Sequence, residues 1–297
     1  MRFLCGLTIL LLTASLEIFA QTNDDPLISV ETSIVVMNAS ITDASGKAAG
    51  GLGRKLFHIF EDGVEQTIES FEAEETPFTA VILLDTSGSI EERVSLARSA
   101  AIRFLDKLRT QDNAAIYNFN SKVELVQDFS NSRDIREKAF DLKADGMTAL
   151  NEAVYKAAEV LSKRPEKRRA IIVLSDGADT FSKVSESKAL KAALAVNATI
   201  YAVDMSAFDL KATEKAKNRA ALTNFAEKTG GRYIATPGGL AMRDAFTNIV
   251  EELGTQYTLA YQPSNTKKDG KWHAIELRVS KPNLTIRTRK GYNAPKK

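Results

Sequence analysis

Ala80-Val81-Ile82-Leu83-Leu84-Asp85-Thr86-Ser87-Gly88-Ser89 is the stretch on which the architecture turns. Five apolar residues run without a polar break, as a strand does when water touches neither of its faces. The run ends at an aspartate and passes into a turn of small hydroxyl residues and glycine. From here to about Leu253, apolar strands alternate with helix-period segments. Further strands are predicted at Ala114 to Phe119, Ala170 to Leu174, Thr199 to Val203 and Arg232 to Ile234, and Val123 to Val126 reads as a short antiparallel edge strand. Helices are predicted at Glu92–Leu108, Ser132–Leu142, Leu150–Ser162, Val184–Ala195, Lys211–Lys228 and Leu240–Leu253. This alternation predicts an α/β fold whose doubly wound, mostly parallel sheet carries helices on both faces.

Outward from this segment the pattern changes. Before Pro77, residues alternate: Val30, Thr32, Ile34, Val36 and Asn38 share one strand face, and Phe57 to Phe60 is followed by the turn Glu61-Asp62-Gly63. After Leu253, strands are predicted at Gln256 to Tyr261, His273 to Val279 and Leu284 to Thr288. Short strands divided by Asp-Gly and Gly-rich turns are antiparallel in character. The economical arrangement is a small β-sandwich-like unit made of both chain ends. The expected organisation is a signal at 1–20, an N-terminal β segment at 21–76, the α/β domain at 77–254 and a C-terminal β segment at 255–297 that packs with the first.

The 297 residues are 44% hydrophobic and 26% charged, ordinary values for a globular chain with a full core. A net charge of +2 gives no electrostatic reason to expect nucleic acid. Arg2, the apolar run Phe3 to Leu12 and Ala20 before Gln21 read as a cleavable secretory signal, shorter than a membrane span. The expectation is an exported protein, periplasmic, surface-bound or secreted, with no integral span once the signal is removed. Cys5, the one cysteine, lies inside that signal. The mature chain then has neither disulfide nor thiolate metal site, which fits a bacterial envelope better than an animal extracellular space.

Ligands of open α/β sheets sit outside the carboxyl ends of the strands. Three oxygen-rich loops fall there: Asp85 to Ser89, Asp145-Gly146-Met147-Thr148, and Ser175-Asp176-Gly177-Ala178-Asp179. Their donors are carboxylates and hydroxyls, with no His or Cys among them. Such hard oxygen ligands select Mg²⁺, Mn²⁺ or Ca²⁺ over zinc or copper. Hydroxyls leave the ion's charge largely uncancelled, so a site of this kind is expected to attract a carboxylate from elsewhere.

Asp85-Thr86-Ser87-Gly88-Ser89 after an apolar strand resembles the Asp-x-Ser-x-Ser element of the von Willebrand factor type A domain, a Rossmann-like fold. That family's later Thr is matched by Thr148 and its later Asp by Asp176. The resemblance spans about Pro77 to Leu253 and implies a metal-ion-dependent adhesion site at Asp85, Ser87, Ser89, Thr148 and Asp176, with Mg²⁺ as the expected ion. It implies that Ser87, Ser89 and Thr148 ligate directly, that Asp85 and Asp176 act largely through water, and that a protein partner's Asp or Glu completes the coordination. The flanks, Gly51-Leu52 with Phe57 to Gln66 and Tyr257 to Tyr261 with Arg287 to Tyr292, are similar to bacterial proteins of the "VWFA-related" kind common in acidobacteria.

The reading is of a non-enzymatic binding module. Metal-dependent phosphoryl transfer usually needs a second carboxylate two residues after the strand-end Asp, and Ser87 stands there. No phosphate-cradling Gly-Lys-Ser/Thr loop is present, and neither His falls in the α/β segment, so no Ser-His-Asp set assembles. A scaffold of an envelope assembly, with a metal that only tightens the loops, is the other open reading. Asp145, Asp179 and Asp204 read as caps or supporting carboxylates, His58 and His273 as partly exposed strand residues, Trp272 as sheet-edge packing and Lys163–Arg169 as a solvated linker. Oligomeric state is not legible.

Overall fold

The computed structural model describes residues 34–73, 76–88, 94–131, 146–206, 211–235 and 239–296. The expected signal, the expected helix Ser132–Leu142, Ser89 and Asp145 lie outside the described residues.

Strand β1 (Val35–Asp43) is followed by a 3₁₀ turn and by β2 (Phe57–Glu61), β3 (Val64–Gln66) and β4 (Ile68–Glu72). Next come β5 (Phe78–Asp85), α1 (Val94–Asp106), β6 (Asn113–Phe119), β7 (Val123–Ser130), α2 (Leu150–Leu161) and β8 (Arg168–Ser175). Then follow α3 (Glu186–Ala195), β9 (Ala198–Asp204), α4 (Ala212–Thr229), β10 (Arg232–Ala235) and α5 (Gly239–Thr255). The chain returns to strands with β11 (Tyr257–Tyr261), β12 (Trp272–Val279), β13 (Leu284–Thr288) and β14 (Gly291–Asn293).

The central sheet has the order β10-β9-β8-β5-β6-β7, parallel except for the antiparallel edge strand β7. All eight residues of β5 are buried, and their alternation divides two cores. Phe78, Ala80, Ile82 and Leu84 face α1 and α5. Val81 and Leu83 face the cores of α2, α3 and α4. This is the doubly wound arrangement the apolar run predicts. The edge strand outruns its expected end at Val126 by four residues.

The two chain ends interleave in a pair of antiparallel four-stranded sheets, β13-β1-β11-β4 and β14-β12-β2-β3. Their shared core includes Met37, Ile59, Leu259 and the mutually packed rings of Phe57, Phe71 and Tyr257. The side of β1 that meets this core carries Val35, Met37, Ala39 and Ile41. The face shared by Val36 and Asn38 is turned away from that core. Asn38 and Ser40 on it are buried among polar groups: Thr258 Oγ1 donates to Asn38 Oδ1 at 3.0 Å, and Ser40 Oγ donates to Glu252 Oε1 at 2.8 Å. With both faces covered, alternation no longer distinguishes core from solvent.

The seam between sandwich and α/β layers is polar and buried. Glu252 on α5 accepts hydrogen bonds from Ser40 and from the Tyr201 hydroxyl (2.6 Å), and pairs with Arg287 of β13 at 2.5 Å. Gln256 Nε2 donates to both Ser40 Oγ and Tyr201 OH. Arg168 corrects the expectation of a solvated linker, because its side chain is fully buried. Its guanidinium donates to Thr258 Oγ1, the Gly254 carbonyl and the Ala73 carbonyl, so a charged residue preceding an apolar strand fastens the two layers. His273 also departs from expectation. It is 5% exposed, whereas His58 stays partly exposed beside Glu65. Trp272, 41% exposed, lies over Gly291 where β12 pairs with β14.

Truncating Glu252 leaves Arg287 unpaired and the Ser40 and Tyr201 hydroxyls without their acceptor. Breaking a buried ion pair from one side costs about 3–5 kcal/mol. Glu252→Ala is expected to lower stability to urea by about 3 kcal/mol, the low end, since Arg287 is partly exposed. A loss of well under about 1 kcal/mol would show that apolar contacts, not this seam, hold the layers together.

Candidate functional site

The register of the parallel sheet determines which loops meet. Leu84 of β5 lies opposite Leu174 of β8, and Asp85 lies opposite Phe119 of β6. Asp85 and Ser175-Asp176 therefore leave the sheet side by side. The Thr86 amide and hydroxyl both donate to the Phe119 carbonyl, at 2.8 and 3.2 Å, tying the first loop to the end of β6. The Ala149 amide donates to the Asn120 carbonyl at 2.7 Å, tying the loop before α2 to the same place. A Cβ built on Gly88 would lie 3.7 Å from the Gly146 Cα, so these two loops are in contact.

Asp85 is fully buried. Its Oδ1 accepts the Ser87 amide at 2.9 Å and its Oδ2 accepts the Ser175 hydroxyl at 2.6 Å. Burial pushes its pKa up to about 6, against the pull of hydrogen bonds from Ser175 and Ser87, and the charge of Asp176 pushes the same way. Ser87 is 1% exposed, Thr148 3% and Asp176 4%. The Thr148 amide donates to Thr180 Oγ1, and its carbonyl accepts the amides of Thr180 and Phe181, so its hydroxyl is the group left to a ligand. Asp176 Oδ1 accepts the Ala178 amide at 2.9 Å. Gly177 has φ +86, and a Cβ there would lie 2.4 Å from the Asn218 carbonyl oxygen of α4, so this turn admits only glycine without rearrangement.

Four of the five expected residues thus stand on neighbouring loops at one edge of the sheet, and Ser89 is outside the described residues. Two carboxylates and two hydroxyls make an all-oxygen set suited to a hard divalent cation. Two supporting residues were not singled out from the sequence. Ser175 links Asp85 to the Asp176 turn, since its hydroxyl also accepts the Gly177 amide at 3.0 Å. Thr180 holds the Thr148 backbone. The signal for Ser175 was its place as the last residue of a strand adjacent to β5, which only the strand order reveals. Asp179 acts as the expected cap: it accepts the Asn151 amide at the start of α2 and the Ser182 amide, while Ser182 Oγ accepts the Glu152 amide. Asp204 accepts the Ser206 amide and the Tyr233 hydroxyl. On the rim, Met147 and Phe181 are 44% and 43% exposed beside the buried Thr148.

Residues 80–178 match the family model of the von Willebrand factor type A domain. No curated protein sequence matches the chain. Among solved structures, the chain is similar to the pilus adhesin SpaC of Lactobacillus rhamnosus GG in an open conformation, at 11% identity and a TM-score of 0.50, over 82% of this chain and 48% of that one. A minor pilin, PilB of Streptococcus sanguinis, aligns at 13% identity and a TM-score of 0.46 over 62% of each chain. The conserved hypothetical protein BatB of Bacteroides thetaiotaomicron aligns at 16% identity and a TM-score of 0.46, over 59% of this chain and 98% of its own. This chain therefore spans under two thirds of the length of the two pilus proteins. The matched segment holds most of β5 together with β6, β7 and β8 of the parallel sheet, so this part of the α/β domain is what the chain shares with the von Willebrand factor type A domain.

Proposed function

We propose that the chain is an exported, non-enzymatic protein-binding module that uses a divalent cation, Mg²⁺ before Mn²⁺ or Ca²⁺, held by Asp85, Ser87, Ser89, Thr148 and Asp176. The observation that carries this reading is the meeting of the Asp85, Thr148 and Asp176 loops at the carboxyl edge of the parallel sheet, with two buried carboxylates and two buried hydroxyls among the described residues. Asp85 would act through water, because both its oxygens already accept hydrogen bonds within the protein. Ser87, Ser89 and Thr148 would touch the ion. When bound, the ion supplies a positive centre that a partner's Asp or Glu can neutralise.

Exposed Met147 and Phe181 beside Thr148 support a macromolecular partner, since an apolar rim next to a charged contact is how a protein interface combines affinity with orientation. Among the described residues no helix is long and apolar enough to cross a membrane. Export rests on the N-terminal signal-like segment.

Magnesium titration by calorimetry is expected to give one site in the wild type. Ser87→Ala should weaken it by at least about tenfold, the effect of losing even an outer-shell partner, while the circular dichroism spectrum stays unchanged. Wild-type affinity in Ser87→Ala would sink the ligand assignment. A binder should lose its partner in EDTA and on Ser87→Ala while its melting temperature holds. A scaffold should lose stability and keep its contacts.

Asp85 makes a second prediction. Its folded pKa of about 6 lies above the ordinary 3.8, so folding takes up a proton between those values. The stabilising contribution is fully present below the unfolded value and is lost as pH rises through about 6. In chelator-treated protein, Asp85→Asn should melt progressively higher relative to wild type as pH is raised from about 4 to about 7. A difference in melting temperature that does not change with pH would contradict the buried charge.

A further inference from the structure

We propose that Glu61, Asp62 and His273 form a second cation site, on the sandwich rather than the α/β domain, and of transition-metal type, with Zn²⁺ the best fit. The three donor atoms lie within 4.8 Å of one another. They are brought together by the hairpin turn after β2 and its pairing with β12, where Ile275 lies opposite Glu61 and the Asp62 amide donates to the Ala274 carbonyl.

Each carboxylate has one oxygen held by the protein and the other turned to the imidazole. Glu61 Oε2 accepts the hydroxyls of Tyr261 (2.6 Å) and Tyr292 (3.2 Å). Its Oε1 lies 3.6 Å from His273 Nδ1 and, though the residue is 3% exposed, accepts no hydrogen bond. Asp62 Oδ1 accepts the Ala274 amide at 2.9 Å, leaving Oδ2 at 2.7 Å from His273 Nδ1. His273 Nε2 is likewise buried without a hydrogen bond, 4.0 Å from Asp269 Oδ1. The ring is stacked on Tyr292 at 5.5 Å between centroids. The orphaned Glu61 Oε1, on a residue more than nine-tenths buried and aimed at the cluster, carries a desolvation cost that a cation there would remove.

The donor set decides the metal. One imidazole nitrogen and two carboxylates suit zinc and its neighbours, whereas magnesium and calcium take oxygen alone. At zinc bond lengths of about 2.0–2.2 Å, two tetrahedral ligands stand about 3.3–3.6 Å apart, so the 3.6 Å pair is already at that spacing and the 2.7 Å pair would open slightly. Two carboxylates and a neutral imidazole cancel the charge of a divalent ion. Binding displaces the proton between His273 Nδ1 and Asp62 Oδ2. With the metal on Nδ1, the ring proton sits on Nε2 and faces Asp269, the carboxylate partner that metal-bound histidines commonly have. Asp62, half exposed, opens the site to solvent and leaves the remaining coordination position to water.

The test is a zinc titration of the full-length, untagged chain in saturating magnesium, which keeps the Asp85 loops occupied if they bind that ion. One zinc equivalent is expected in the wild type, unchanged in Ser87→Ala and weakened by about tenfold or more in Asp62→Asn. Asn tolerates the left-handed backbone of position 62 (φ 49) and can still accept the Ala274 amide, so this variant is expected to fold. His273→Gln should lose the zinc as well, and if it fails to fold the Asp62→Asn titration decides alone. No zinc uptake by the wild type, wild-type affinity in Asp62→Asn, or loss of the zinc in Ser87→Ala would each overturn the proposal. Failure of magnesium to bind at the Asp85 loops would leave the zinc result unaffected.

Discussion

Strand β5 is hydrogen-bonded along both edges, to β8 from Phe78 to Leu84 and to β6 from Thr79 to Asp85. Its two faces are covered by different helix layers. A strand confined in this way cannot slip by one residue without exchanging every side chain between the two cores. The position of Asp85 is therefore set by the packing of the whole domain. The loops before α2 and after β8 are then fastened to it, through Asn120, Thr180 and Asp179 on one side and Ser175 on the other.

That rigidity is what makes a buried carboxylate tolerable. Asp85 is removed from water with a second negative charge, Asp176, close enough to raise its pKa. The hydrogen bonds from Ser87 and Ser175 compensate only in part. Such a group is destabilising by itself, and a cation brought to the loops would offset the cost of its burial. The Glu61-Asp62-His273 cluster follows a related logic with different donors, because the orphaned Glu61 Oε1 is buried beside His273 Nδ1 and away from solvent.

The sandwich is more than an appendage. Glu252, Gln256 and Arg168 connect it to the α/β layers through contacts between distant segments, among them Ser40 with Glu252, Ser40 with Gln256 and Arg168 with Thr258. Gly230, at the end of α4, comes so close to Thr288 that a Cβ would lie 2.3 Å from its carbonyl carbon. Polar contacts of this kind fix orientation as well as adhesion, because a buried donor or acceptor is costly when its partner shifts. Movement of one layer against the other would have to break them together.

The apolar runs at Ala80 to Leu84 and Ala170 to Leu174, the helix periods between them and the Asp-Gly turns of the flanks were enough to read an α/β sheet with an antiparallel unit built from both ends. The order of Asp85, Ser87, Ser89, Thr148 and Asp176 was equally visible. These signals are local, since burial on one or two faces leaves its period in the sequence itself. Which residues the folded layers would bury beyond that was not visible. Arg168 looked like part of a solvated cluster, Ser175 was not singled out, and His273 looked like an ordinary strand residue until its 211-residue separation from Asp62 was closed. Those outcomes depend on strand order and on how the sandwich docks. Contacts between distant segments acquire their energies only once the layers are in place, so the sequence by itself determined the elements and their order, and the tertiary structure alone decided their polar partners.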